Sequence, residues 1–302
     1  MNSTIQSLMA GAIDMHVHAS HEVPTRRQNI LEVAKDAAAA GRRAVVFKSK
    51  DTSTVDSTAL ANTLVQGVKL YGGVTLDASV GGINPLAVYS ALETGGKMVW
   101  MPSFDSAWTI KTVTGEAKGT AKAYQKILDF NRQVGNGFSI LQGGLGGSDL
   151  TPETKEIISL IAKKGAILST SHLSPRESLI LVKEATKAGL EKIVVTHVNS
   201  DIIGASVEEQ KELARQGAYL EYSFAVCLPS AIRESQPIQD IAEMMNRVGP
   251  EHCILGTDLG RFNYPPPVEG LRMFIAALLL GEIKAKDIER MVRINPAYLL
   301  GL

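Results

Sequence analysis

Cysteine is scarce. The chain has two, Cys227 and Cys253, in 302 residues, too few for a disulfide framework, and neither stands in a CxxC or other zinc-knuckle spacing. That fits a reducing, cytoplasmic setting. Surplus charge is missing as well: Lys and Arg number 31, Asp and Glu also 31, for a formal balance of zero. This argues against nucleic acid as a partner, because polyanion affinity draws on excess basic charge. Nor is there a long apolar run. The longest, Met273 to Leu280, falls far short of the roughly 20 residues a membrane helix needs, so no membrane partner is expected. Residues 1–12 hold no Lys or Arg, and Gln6, Ser7 and Gly11 break their apolar stretch; no export signal is read there. What the chain has is 45% hydrophobic residues, enough at this length to bury a substantial core.

Short β-rich apolar runs alternate with longer segments of helical period. Strands are predicted at 12–19, 43–49, 74–79, 97–104, 166–171, 192–198, 218–224 and 253–258, from run length and β-branched content. Helices are predicted at 30–40, 85–94, 152–164, 175–188, 207–216 and 238–248. Thr151-Pro152 and Ser174-Pro175 place a capping hydroxyl before a first-turn proline, and Gly41, Gly165, Gly189 and Gly217 follow helices as stops, the usual punctuation. An open doubly wound sheet shows a similar alternation, but eight βα units in roughly 250 residues favour an α/β chain closed as a (β/α)₈ TIM barrel. A single domain over 1–302 is expected.

The gap between the fourth and fifth strands is about twice the usual spacing, so an insert is expected at 105–150, with β-like runs at 108–113 and 138–141, a helix at 121–132 and the run Gly143-Gly144-Leu145-Gly146-Gly147. Following the C-terminal end of a strand, it lies on the face where barrel enzymes work and reads as a lid or as a decorative excursion. The glycine run lacks the GK[ST] ending of a phosphate loop.

Four of the six histidines fall at strand ends: His16 and His18 on the first, His172 after the fifth, His197 on the sixth. Asp258 ends the eighth. Residues i and i+2 of a strand share a side, so His16 and His18 offer two imidazoles together. A barrel brings all five residues to one rim, the donor set of a Zn²⁺-type site. Any one of these histidines alone reads as a satisfied rim residue; their conjunction carries the site.

Asp14-Met15-His16-Val17-His18, Ser171-His172, Thr196-His197, Gly256-Thr257-Asp258 and the closing Asn295-Pro296-Ala297-Tyr298-Leu299-Leu300-Gly301-Leu302 resemble, in order, the DxHxH, the fifth- and sixth-strand histidines, the G-[TS]-D and the NPAxLLGL of the amidohydrolase superfamily. The resemblance is to a compact, single-domain type and covers nearly the whole chain. It implies a metal-dependent hydrolase holding one or two divalent ions, Zn²⁺ or alternatively Mn²⁺. His16, His18 and Asp258 would hold one; His172 and His197 would hold a second or orient the substrate. Asp258 and His197 would be the catalytic pair, with Asp258 taking the proton of the attacking water. Asp14 reads either as the partner of an imidazole N–H or as a buried structural carboxylate.

One departure concerns the fourth strand, where many members carry a metal-bridging lysine or glutamate. Here that strand has its lysine, Lys97, at the wrong end. Lys48, ending the second strand, is left either to bridge metals or to contact substrate, and Asp105 to supply a rim carboxylate. Tyr222 reads as an oxyanion donor or a core tyrosine, and Arg261, with Lys50 and Lys111, as rim cations or solvated charge. Acting together, such cations would favour an anionic small-molecule substrate. The reaction expected is cleavage of an amide, cyclic imide or lactone; phosphoester hydrolysis, nonoxidative decarboxylation and a metabolite-binding barrel without turnover are the alternatives. A homo-oligomer is expected.

Overall fold

The structure is a computed structural model that describes residues 1–114, 135–230 and 235–302. Its strands are β1 (Ile13–Val17), β2 (Ala44–Phe47), β3 (Lys69–Tyr71), β4 (Gly73–Thr75), β5 (Met98–Trp100), β6 (Ile167–Ser169), β7 (Ile193–Val195), β8 (Tyr219–Ser223) and β9 (Cys253–Gly256). They pair in parallel and in chain order, β1 to β3 and β4 to β9. Gly72 alone separates β3 from β4, and its carbonyl accepts from the Lys97 N–H at 2.8 Å. The two pieces are therefore one stave, giving eight staves in all. The sheet then closes on itself: Val17 bridges Leu259, and the Asp258 N–H donates to the His16 carbonyl at 2.8 Å.

The third stave is five residues earlier than the expected start at 74, because Gly72-Gly73 reads as a break in sequence. Here the glycines mark a close approach instead. A Cβ on Gly73 would stand 1.9 Å from the Met98 carbonyl oxygen.

Two apolar layers sort the strand residues. Ile13, Met15, Ala44, Val46, Met98, Trp100, Ile167, Val194 and Ile254 fill the barrel with Leu299 and Leu300, the latter pair from the C-terminal helix (Asn295–Leu300) that plugs its base. Asn295 anchors that plug by donating to the Cys253 carbonyl at 2.7 Å. Val17, Val45 and Phe47 face outward onto the helix Ile30–Ala39. Since Ile13 and Met15 point in and Val17 points out, the alternation slips within β1, and the β1–β2 register shifts between Asp14 and Val17. Such an irregularity re-aims side chains, and it turns both His16 and His18 into the barrel mouth.

The crossover helices begin on the expected caps: Ser174 accepts from the Glu177 N–H and Thr151 from the Thr154 N–H. The insert differs from expectation. Residues 108–113, β-like through their β-branched content, lie in a helix, Ala107–Thr114; Ser106 caps it, accepting from the Thr109 N–H at 3.0 Å. At 138–141 there are only isolated bridges, Ser106 to Phe138 and Leu141 to Leu150, and the helix expected at 121–132 lies outside the described residues. Among the described residues no helix is long and apolar enough to cross a membrane.

Candidate metal centre

Three staves end on non-glycine residues with left-handed backbone: Ser171 (φ 50°), His197 (φ 28°) and Asp258 (φ 51°). That region costs an L-residue roughly 1–3 kcal/mol and persists only where the surroundings impose it. Here backbone bonds hold it, among them Asp258 N–H to His16 O and Val198 N–H to Glu221 O at 2.8 and 2.9 Å. The sharp turns carry His172, His197 and Asp258 into the mouth beside His16 and His18.

His16 Nε2 lies 3.4 Å and His18 Nε2 3.3 Å from the same oxygen, Asp258 Oδ1. One donor atom from each of the three lies within 4.8 Å of the others. Behind each imidazole stands a carboxylate: Glu221 Oε1 is 2.8 Å from His16 Nδ1, and Glu22 Oε1 is 3.0 Å from His18 Nδ1. Glu22 is shared with Arg26, whose Nε donates to it at 2.8 Å. Opposite, His197 Nε2 and His172 Nε2 are 3.2 Å apart, and Thr109 Oγ1 reaches His172 Nδ1 at 3.2 Å.

These distances test whether a cation fits. Glu221 places the His16 proton on Nδ1, so Nε2 carries a lone pair; that atom is buried without a hydrogen-bond partner and faces a carboxylate. A lone pair against a carboxylate oxygen is repulsive until a cation or a proton stands between them. Two imidazole nitrogens and one carboxylate, with carboxylates fixing the rings from behind, are the donor set and outer support that zinc-type ions take. The residues fit a divalent cation.

Electrostatics point the same way. Burial works to raise the Asp258 pKa, but His16, His18 and His197 outweigh it and hold the carboxyl well below its usual range. Burial, opposed by Asp258, brings His197 down to about 4, and burial with the neighbouring His197 and Lys48 charges puts His172 well below the ordinary value. Both rings are neutral near pH 7, as metal ligands or carbonyl contacts require.

The mouth opens into a cavity of about 330 Å³. His18, His172, His197, Asp258, Lys48 and Arg261 line it, while His16 is wholly buried behind Asp258. Two expected residues are elsewhere. Tyr222 is fully buried and donates to Gln210 Oε1 at 2.8 Å, because β8 turns Leu220 and Tyr222 outward; it is a core tyrosine and not an oxyanion donor. Asp105 is also buried and does not line the cavity; its carboxylate accepts from the Ala78 N–H at 2.7 Å, tying down a loop. Asp14 takes the structural alternative, accepting from Thr257 N–H and Oγ–H at 3.0 and 2.7 Å. The imidazole partners missed in sequence are Glu221, Glu22 and Thr109. Of these only Glu221 had a signal, a charged residue inside an otherwise apolar strand.

The model of a family of unknown function, DUF6282, matches residues 11–221, more than two thirds of the chain. The chain belongs to DUF6282. The matched span holds His16, His18, Lys48, His172, His197 and Glu221 but stops short of Asp258. No curated protein matches this DUF6282 chain. Its fold recurs in solved structures. An amidohydrolase from Pseudomonas aeruginosa is 16% identical over 99% of this chain and 97% of that one, with a TM-score of 0.59. A weak promiscuous lactonase template engineered for organophosphate hydrolysis is 13% identical over 98% and 97%, with a TM-score of 0.61. A 2,6-dihydroxybenzoate decarboxylase is 10% identical over 97% and 100%, with a TM-score of 0.57. The expected (β/α)₈ barrel is thus the fold of this DUF6282 member, shared with these solved enzymes.

Proposed function

We propose that the protein is a metal-dependent hydrolase that cleaves an amide, cyclic imide or lactone bond of a small molecule in the 330 Å³ cavity. The observation that carries this reading is the convergence of His16, His18 and Asp258 on one point, with Glu221 and Glu22 bracing the two rings. His16, His18 and Asp258 would hold the ion, Zn²⁺ or Mn²⁺. When bound there, a divalent cation supplies Lewis acidity, acidifying water and polarising a carbonyl.

The chain's own residues do the rest. The Asp258 side chain is 19% exposed, so it reaches the cavity, where it takes the proton of the attacking water and passes it to the leaving group. A carboxylate with a depressed pKa is a weak base, so Asp258 would take a proton only from water that an ion held by His16, His18 and Asp258 had acidified. His172 and His197, held neutral, hydrogen-bond and orient the carbonyl.

The test is turnover of lactones, cyclic imides, N-acyl amino acids, phosphoesters and aromatic acids by protein of measured metal content, beside Asp258→Asn. Hydrolysis of a carbonyl substrate that falls by roughly 10²–10⁴-fold in kcat in the variant, with metal retained, is the expected result. Turnover of phosphoesters or aromatic acids alone, or near wild-type turnover in Asp258→Asn, overturns it.

A further inference from the structure

Lys48 follows β2 directly, and its N–H donates to the Val17 carbonyl at 2.9 Å, which fixes where its side chain enters the barrel. The residue is 3% exposed. Its ammonium has one hydrogen-bond partner among the described residues, Ser171 Oγ at 3.4 Å, and the Trp100 ring lies 5.9 Å away. No described carboxylate stands within 4 Å of it. An ammonium has three N–H donors, and a buried charge without an ion-pair partner costs several kcal/mol. A cavity-lining ammonium left in that state is an incomplete site.

The other cations around the cavity divide cleanly. Arg26 is matched by Glu22, and Lys50 by Asp51 at 2.8 Å. Arg261 stacks over Tyr264, 5.5 Å from its ring, and no described carboxylate lies within 4 Å of it. Among the described residues, the one acidic residue lining the cavity is Asp258, whose carboxylate faces the two histidines. The lining includes Phe104, Ile202, Val226 and Phe262, beside the polar Ser103, Ser200 and Asn263. Two cations with no ion-pair partner among the described residues, in a lining that carries apolar and aromatic side chains, favour a ligand with an anionic head on an apolar body.

We propose that the cavity binds a substrate carrying a carboxylate on a ring-sized apolar group, with Lys48 as the carboxylate's ion-pair partner and Arg261 as a second contact at the rim. This deepens the hydrolase reading and rests on it in placing the substrate in this cavity. A single ammonium is a point charge that a singly charged carboxylate neutralises, whereas a phosphate would bring up to two negative charges beside the Asp258 carboxylate. In the free protein burial disfavours the Lys48 charge and the carboxylates of Asp258, Glu221, Asp77 and Glu22 support it only from beyond ion-pair distance; a bound carboxylate would give that charge a direct partner.

Benzoate and benzyl alcohol share the ring and differ in the charge, and neither has a bond this hydrolase would cut. Calorimetric titration of each into the metal-loaded protein, Lys48→Met, Lys48→Arg and Arg261→Met reads the subsite without turnover. A charge-assisted hydrogen bond in a buried site corresponds to roughly a ten- to hundredfold preference. Wild type should therefore prefer benzoate by at least about tenfold; Lys48→Met should lose that preference with benzyl alcohol unaffected, Lys48→Arg should keep part of it, and Arg261→Met should lose a smaller part. Lys48→Met should also melt no lower than wild type, since it removes an unpaired buried charge, which separates a lost subsite from a lost fold. Equal affinity for the two ligands in wild type, or a benzoate preference intact in Lys48→Met, overturns the proposal. So does a preference that vanishes on metal removal while surviving Lys48→Met, because the ion would then be the anion's partner. Lys48-dependent benzoate binding in a protein that hydrolyses nothing upholds the subsite and sinks the hydrolase reading.

Discussion

Replacing Glu221 by Gln keeps the shape of the side chain and removes its charge. The carboxylate lies 2.8 Å from His16 Nδ1, both groups are wholly buried, and Ser223 Oγ–H donates to the same oxygen at 2.7 Å. The negative charge locks the proton on Nδ1 and strengthens Nε2 as a donor toward a cation. Partners of this kind are worth about 10–100-fold in metal affinity, or about 1.4–2.7 kcal/mol. Glu22 behind His18 gives an internal control. Its charge is already shared with Arg26 and the His18 side chain is 11% exposed, so Glu22→Gln should cost less, under about tenfold. Competition against a chromogenic chelator gives both dissociation constants for Zn²⁺. Melting with and without Zn²⁺ gives the linked change in stability, since ligand stabilisation follows RT ln(1 + [L]/Kd). In the metal-free state Glu221→Gln should shift stability by no more than about 1 kcal/mol, because losing the ionic hydrogen bond is offset by removing a buried charge. A Zn²⁺ affinity within twofold of wild type, or a larger loss in Glu22→Gln than in Glu221→Gln, would refute the reasoning.

Tyr222→Phe should leave kcat and KM unchanged and lower stability by about 1 kcal/mol, the value of one neutral buried hydrogen bond; a kcat loss above tenfold would return Tyr222 to the chemistry. Gly73→Ala should destabilise by about 3 kcal/mol or more in urea unfolding, because its Cβ meets the Met98 carbonyl, a backbone atom that cannot swing aside; a wild-type midpoint would show that the stave yields there. In metal-free protein, His197 is held neutral to about pH 4. The unfolded chain takes up that proton near pH 6.5, so wild type loses stability as pH falls from about 6.5 to 4 and levels below. His197→Asn lacks this loss and should gain on wild type across that window by up to about 1.4 kcal/mol per pH unit. A difference between the two that does not change with pH would contradict the neutral ring.

The barrel was legible because each stave is an apolar run between punctuated helices, and period and length alone separate the two. What escaped was set by contacts between distant residues. The break at Gly72 looks like a turn until Met98 is seen against Gly73. The helix Ala107–Thr114 is rich in β-branched residues, and its start is fixed by Ser106, which caps it and also donates to the His172 carbonyl at 2.9 Å. At the site, His16, His18 and Asp258 were visible from strand-end position. Their phase was not, since β1 slips its alternation between Asp14 and Val17. Asp14 lay open between two roles until Thr257, 243 residues away, was found to occupy both its oxygens. Glu221 and Tyr222 were distinguishable only by which of two neighbours in β8 points inward. Glu22 lies in a loop, where no period marks it.

The central claim is that one cation sits between His16, His18 and Asp258. Anomalous diffraction at the zinc edge, on crystals loaded with one equivalent of Zn²⁺, tests it most directly. The account expects one dominant anomalous peak in contact with His16 Nε2, His18 Nε2 and the Asp258 carboxylate, lost in Asp258→Ala combined with His16→Ala. A peak elsewhere in the molecule, or none at that point with the metal bound in solution, would contradict it.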